Sequence, residues 1–273
     1  MNETFQFKRF RTYFLYDLKQ MWRNHSRPAI LIGCSSVIFY IAWVLCSLVF
    51  AQSWSSPPIM ARFAVLLVAF TILQLYQTRT YGYLTEKKAG SAWLMIPASG
   101  LEKFVSMILI TLVIIPLLFF VVYYLLDGFL SLVDPTFGQA LLSGTREAGE
   151  KMFNALTDMN DQSPILFTPG ALVLPILINY CLNFLYFLLC GICFKKYKIV
   201  GAFAIMFGIS LLMSILMGAF VPQMAESMDW HNVAEEEGWQ LIARIMNGFD
   251  VFLTLVTIGL GWGIYHRIKT LKH

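Results

Sequence analysis

Charge is scarce in this chain: of 273 residues only 13% are Asp, Glu, Lys or Arg, while 58% are hydrophobic. An ordinary soluble domain carries about 25% charged residues, so this composition points to the bilayer as solvent. Catalytic signatures are missing as well. The sequence contains no Gly-Lys pair, which excludes the G-x-x-x-x-G-K-[ST] loop that cradles phosphates, and with it ATP binding of that kind. The four histidines, His25, His231, His266 and His273, are scattered and form no H-E-x-x-H zinc helix. No Gly-x-Ser-x-Gly nucleophile turn occurs either, so the expectation is a chain that is not an enzyme and holds no metal or cofactor of its own. The five cysteines, Cys34, Cys46, Cys181, Cys190 and Cys193, lie inside apolar stretches, where they read as small hydrophobes rather than a disulfide framework. Cys190-Gly-Ile-Cys193 has C-x-x-C spacing, but sits at a helix end without the strand that a redox motif needs. His231 with Asp229 and Glu235 reads as a polar face, one imidazole among solvated carboxylates.

Long apolar runs are abundant. A bilayer-spanning helix needs about 20 apolar residues, and six stretches qualify: 29–50, 59–76, 104–126, 171–194, 199–221 and 247–265. They are apolar all round, which a water-facing helix cannot be. The first reads as an uncleaved anchor, because its apolar run is too long for a signal peptide. Lys and Arg set the orientation. Lys8, Arg9, Arg11, Lys19, Arg23 and Arg27 precede the first stretch; Arg79, Lys87, Lys88 and Lys103 separate the second from the third. Lys195, Lys196 and Lys198 separate the fourth from the fifth, and Arg267, Lys269 and Lys272 follow the sixth. Only Arg62, Arg146, Lys151 and Arg244 fall on the other side, whereas only Glu3, Asp17, Glu86 and Glu102 among the acids fall on the basic one. The expectation is an all-α membrane protein of six transmembrane helices with both termini in the cytoplasm. Its positive charge faces anionic lipid and gives no reason to invoke nucleic acid.

Residues 1–27 are expected to form a cytoplasmic interfacial helix, and 28–273 the transmembrane domain. Phe7, Phe10, Phe14, Leu18 and Met21 recur at helical intervals, which predicts one apolar face, with Lys8, Arg9, Lys19 and Arg23 turned to headgroups or water. The connection 79–103 is too polar to span. A short helix from Glu86 to Met95 would leave Leu84, Lys88, Trp93 and Leu94 open to a partner, with Pro97 ending it. Ser99-Gly-Leu-Glu102 then reads as a capping box that fixes the start of the third span, worth about 1 kcal/mol. The outer segments are 127–168 and 223–246. The first has turn signals at Asp134-Pro135 and a run of helix formers from Thr145 to Asp158; the second carries Glu226, Asp229, Glu235, Glu236 and Glu237. Within the spans, polar side chains are the default pointers to function, and Gln74, Gln77, Asn179 and Asn183 are the candidates for a substrate path. Helix-to-helix hydrogen bonding is the competing reading of all four.

Glu86-Lys-Lys-Ala-Gly90, the apolar run ending Leu94-Met-Ile-Pro97-Ala-Ser99, and Glu102-Lys103 leading into a span resemble the cytoplasmic signature of type 2 export permeases of ATP-binding-cassette (ABC) transporters. The layout of interfacial helix, six spans and outer helices is similar throughout. The Gly90 to Pro97 interval is shorter than in that family, which also more often elaborates the fifth-to-sixth connection. The resemblance implies a permease subunit that dimerises in the bacterial inner membrane and carries separate ATPase subunits. ATP with magnesium would then bind in that partner, and the elbow 79–103 would serve as the coupling helix. It also implies docking through Glu86, Lys87, Lys88, Gly90, Trp93, Leu94 and Pro97, with Ser99 and Glu102 holding their geometry. The alternative is a non-transporting scaffold or sensor that binds an extracytoplasmic partner through its acidic outer segments.

Overall fold

In the computed structural model the backbone is described for residues 5–162, 169–227 and 235–270. Side chains at 24–26, 51, 87–89, 94, 152, 155–162, 169–172, 213, 216–217, 219–227 and 235–246 lie outside the description. Every regular element among the described residues is helical: α1 (Phe7–Gly33), α2 (Ser35–Cys46), α3 (Ile59–Thr80), α4 (Lys87–Leu94), α5 (Gly100–Leu109), α6 (Ile115–Val133), α7 (Leu141–Gln162), α8 (Pro169–Cys193), α9 (Lys198–Ser227) and α10 (Glu235–Thr270). Four stretches are long and apolar enough to cross a membrane: Ile59–Thr85, Gly100–Val133, Val173–Cys193 and Asn247–Thr270. The pair Arg27–Gly33 and Ser35–Phe50, bent by 52°, makes a fifth if counted as one span. This is the make-up of a multi-pass membrane protein. The expected stretch 199–221 falls in α9, of which Lys198–Leu212 is the apolar part that can be described.

The interfacial helix and the start of the first apolar stretch are not separate elements. α1 runs through both, past Pro28, and the chain turns only at Cys34, whose φ of −79° and ψ of 4° leave the helical region while its N–H still reaches the Ile30 carbonyl. Gly33 makes this bend compact: a Cβ there would lie 3.0 Å from Val122 Cγ1, so any side chain would have to push Val122 aside where α1 meets α6.

The third stretch, expected as one helix, is α5 and α6 joined by a π-helical turn, Ile110–Ile114. Pro116 causes the interruption, since it has no N–H to offer the Leu112 carbonyl four residues back. The Tyr180 hydroxyl on α8 donates to that carbonyl instead, so the missing rung is supplied by a neighbouring helix.

α8 packs between α3 and α10, and α1 lies across α3, α5 and α6. Gly191 sets the distance of α8 from α3, because a Cβ there would fall 2.5 Å from the Thr78 carbonyl oxygen. Two apolar clusters result. One joins Tyr81, Leu84, Trp93, Met107, Leu188 and Ile264, tying the elbow to α5, α8 and α10. The other joins Met21, Leu73, Ile110, Phe119, Tyr123 and Leu141, with Phe14 and Leu18 packed on it.

At the far end of α3, Arg62 and Asp127 form a buried ion pair at 3.2 Å, their side chains 4% and 1% exposed. Arg62 also donates to the Gln139 carbonyl at 2.7 Å and lies 4.1 Å over the Phe137 ring, while Asp127 accepts from the Leu141 amide at 2.6 Å. The two residues, expected among the outer charges, instead fasten α3, α6 and the start of α7 together. Asp134 begins the expected turn and accepts from the Thr136 amide and hydroxyl, from Tyr40 and from Trp54. The Thr136 hydroxyl foremost, then Tyr40, the Thr136 amide and Trp54, hold its carboxyl below the usual carboxylate range against the effect of burial. α7 covers the expected 145–158 run and extends it at both ends; residues 163–168 and 228–234, including Asp229 and His231, lie outside the described residues.

Candidate functional site

The elbow is built as the capping box requires. Ser99 Oγ accepts from the Glu102 amide at 3.2 Å and the Glu102 carboxylate accepts from the Ser99 amide at 2.9 Å, starting α5. The same carboxylate, fully buried, also accepts from the Gln6 amide at 2.9 Å and from Arg9 through Nε at 2.8 Å and Nη2 at 2.8 Å. One carboxylate therefore closes the cap, holds the start of α1 and takes a forked guanidinium, a geometry that Lys could not reproduce. Arg9 is thus folded in against Glu102, not turned to headgroups or water as expected, because a buried carboxylate without a cation would be costly. Of the expected apolar face, Met21 is buried in the bundle with Phe14 and Leu18 packed on its cluster, while Phe7 is 73% exposed.

Two further contacts tie α1 beneath the elbow. Asp17, 3% exposed, accepts from Ser106 Oγ at 2.7 Å and from the Tyr81 hydroxyl at 3.1 Å, bridging α1, α5 and the end of α3. Burial pushes its carboxyl above the usual range, and the two hydroxyls counter part of that shift. The Trp93 indole donates to the Tyr13 hydroxyl at 3.0 Å. Above the same indole, Lys103 Nζ sits 4.5 Å from the ring and donates to the Trp93 carbonyl at 3.0 Å. A fourth clamp comes from α9, where Lys198 Nζ donates to the Gly82 carbonyl. A Cβ at Gly82 would lie 2.8 Å from that nitrogen, so a side chain there would displace the lysine tip from its clamp.

The expected docking residues therefore divide. Leu84 and Trp93, expected to face a partner, are buried at 0% and 3% exposure and hold the elbow from inside. Gly90, Ser99 and Glu102 are buried too, while Glu86 and Pro97 are exposed. Lys87, Lys88 and Leu94 lie on α4, their side chains outside the described ones. Met95, 84% exposed at the end of α4, is an apolar side chain on the open face that the sequence reading did not single out. Nor did it single out Tyr13, Asp17 and Ser106. The available signal was the i, i+4, i+8 series Tyr13, Asp17, Met21: a carboxylate on an apolar stripe has to find donors.

The four candidate path residues are not brought together. Asn183 donates to the Asn179 carbonyl and side chain on the same helix, so this pair serves α8 itself. Gln74 is half-buried and Gln77 fully buried, its amide oxygen and nitrogen both without a hydrogen-bond partner among the described residues. No described hydrogen bond links the glutamines to the asparagines. No group of three or more His, Cys, Asp or Glu side chains that could hold a metal ion is found among the described residues. No protein-family model, curated protein or solved structure matches this chain.

Proposed function

We propose that the chain is the membrane-spanning permease subunit of an ABC-type exporter, with six spans, both termini in the cytoplasm and a place in the bacterial inner membrane. Two copies form the translocation path, and the elbow 79–103 docks a separate ATPase subunit. The observation that carries this reading is the way the elbow is held. Glu102 through Arg9, Trp93 through Tyr13, and Tyr81 and Ser106 through Asp17 all fasten it to α1, while Lys198 fastens it to α9, so a force on α4 is passed to these helices rather than absorbed by slack. Its open face offers Glu86, Met95 and Pro97, a small mixed surface suited to a partner. Driving a two-state transporter from 1:99 to 99:1 takes about 5.5 kcal/mol of differential binding, which nucleotide binding to a partner supplies and a chain without a phosphate loop does not.

The test is co-purification of the full chain in mild detergent. An ATPase should accompany the wild type and be lost from Lys87→Glu/Lys88→Glu and from Met95→Asp. If none accompanies the wild type, or if it stays with the variants, the docking assignment is wrong. A cysteine placed at Ala89 in a cysteine-free background should be labelled only from the cytoplasm; labelling only from the opposite side would sink the topology. Crosslinking from the exposed, ion-paired face of α7, which carries Arg146 with Glu150 and Lys151 with Glu147, decides against the scaffold alternative if it yields only copies of this chain.

A further inference from the structure

Between α1, α3 and α6 lies an apolar cavity of about 60 Å³. Its walls include Ile30, Leu73 and Phe119, and it ends where Gly33 meets Val122. Toward the other end stand Trp22 and Tyr76, which supply the lining's two polar side-chain tips. A cavity so lined stays dry, and is filled, if at all, by hydrocarbon.

Cations gather at the aromatic end. Arg79 lies three residues beyond Tyr76 on α3, one helical turn along the same face. Arg23 follows Trp22, and Arg23, Arg27 and Ile30 are spaced i, i+4, i+7, which puts both arginines on the stripe that reaches the cavity wall. All three arginines are exposed, and none forms an ion pair with a described residue. A dry slot between helices with aromatic side chains and exposed cations at its mouth matches a molecule with a hydrocarbon tail and an anionic head.

We propose that this cavity, open on one side, seats a short segment of one acyl chain of an anionic phospholipid whose headgroup is gripped by Arg23, Arg27 and Arg79. The lipid acts as a fixed part of the bundle, filling the gap between α1, α3 and α6 that the Gly33–Val122 contact closes at one end. The charge at the mouth selects it over zwitterionic lipid with the same tails. This inference does not depend on the ATPase reading and is tested without nucleotide, so the two fail separately.

The experiment counts lipids retained by the delipidated full chain in detergent by native mass spectrometry, after titration with phosphatidylglycerol or phosphatidylcholine of identical acyl chains. Phosphatidylglycerol should be retained one per chain and displace phosphatidylcholine. Arg23→Gln, Arg27→Gln and Arg79→Gln should each weaken phosphatidylglycerol about fivefold and leave phosphatidylcholine unchanged. Filling the slot from either side, with Leu118→Trp on α6 or Ala29→Phe on α1, should abolish retention of both. Helical content is read alongside, so that a misfolded variant is set aside and the surface arginine variants still decide the question. Equal retention of the two lipids by the wild type, arginine variants that bind phosphatidylglycerol as tightly as the wild type, or folded slot-filling variants that retain it would overturn the proposal. So would displacement of phosphatidylglycerol by an uncharged amphiphile at equal concentration.

Discussion

Replacing Arg62 by Met tests whether the ion pair beneath α7 is a closed one. At 4% and 1% exposure the two side chains are shielded from solvent, so deleting one charge leaves the other stranded, a change that costs roughly 3–5 kcal/mol. The lower figure applies, because Asp127 retains the Leu141 amide as a donor. Removing both charges together, Arg62→Met with Asp127→Leu, leaves only two backbone groups unmet, the Gln139 carbonyl and the Leu141 amide. At about 1 kcal/mol each, that places the double variant near 2 kcal/mol, above the Arg62 variant in stability. The assay is thermal unfolding in detergent, followed by a thiol dye on a variant whose sole cysteine is Cys190, which is 5% exposed when folded. With 1 kcal/mol worth about 2–4 °C for a chain approaching this size, Arg62→Met should lower Tm by about 6–12 °C and the double variant by less. Losses that simply add would refute the reasoning, since they would mean that the charges do not sense each other.

Other consequences are measurable in the same way. Because burial raises the Asp17 carboxyl, its contribution to stability is present below the unfolded value near 3.9 and is lost as pH rises through the folded one. Subtracting the Asp17→Asn melting curve from the wild type should therefore give a difference that falls with rising pH from about 4. For Asp134, held low mainly by the Thr136 hydroxyl, the sign reverses: the stabilisation is present above about 3.9 and is lost as the solution is acidified, which Asp134→Asn should abolish. Gly191→Ala drives a methyl into the Thr78 backbone and should cost about 1–3 kcal/mol, seen as faster labelling of the neighbouring Cys190; an unchanged rate would show that α8 stands off from α3. Tyr180→Phe orphans the Leu112 carbonyl and should cost about 1–3 kcal/mol by the same melting assay.

The sequence disclosed what depends on local pattern. Apolar length marked the helices Ile59–Thr85, Gly100–Val133, Val173–Cys193 and Asn247–Thr270, and the Ser99 to Glu102 spacing announced the capping box. What it hid depends on partners distant along the chain. Arg9 looked like a headgroup contact because nothing local reveals that Glu102, 93 residues later, is buried beside it. Trp93 and Leu84 looked available because a short polar helix does not show which side another element covers. The third stretch looked like one helix because apolar length does not show where its ladder is broken, and the donor that replaces the amide Pro116 lacks is a tyrosine on another helix. The cap that starts α5 was legible, then, while the clamps that make the elbow stiff were not.

The Tyr180 hydroxyl has a mechanical corollary. Wherever a helix is sealed by its own amides, a neighbour can slide past without being noticed; at Leu112 the seal is borrowed, so any travel of α8 along α6 must either drag that rung or let it go. Relative motion of these two helices is thereby registered at a single oxygen atom in mid-bundle, where one phenol group acts as the latch.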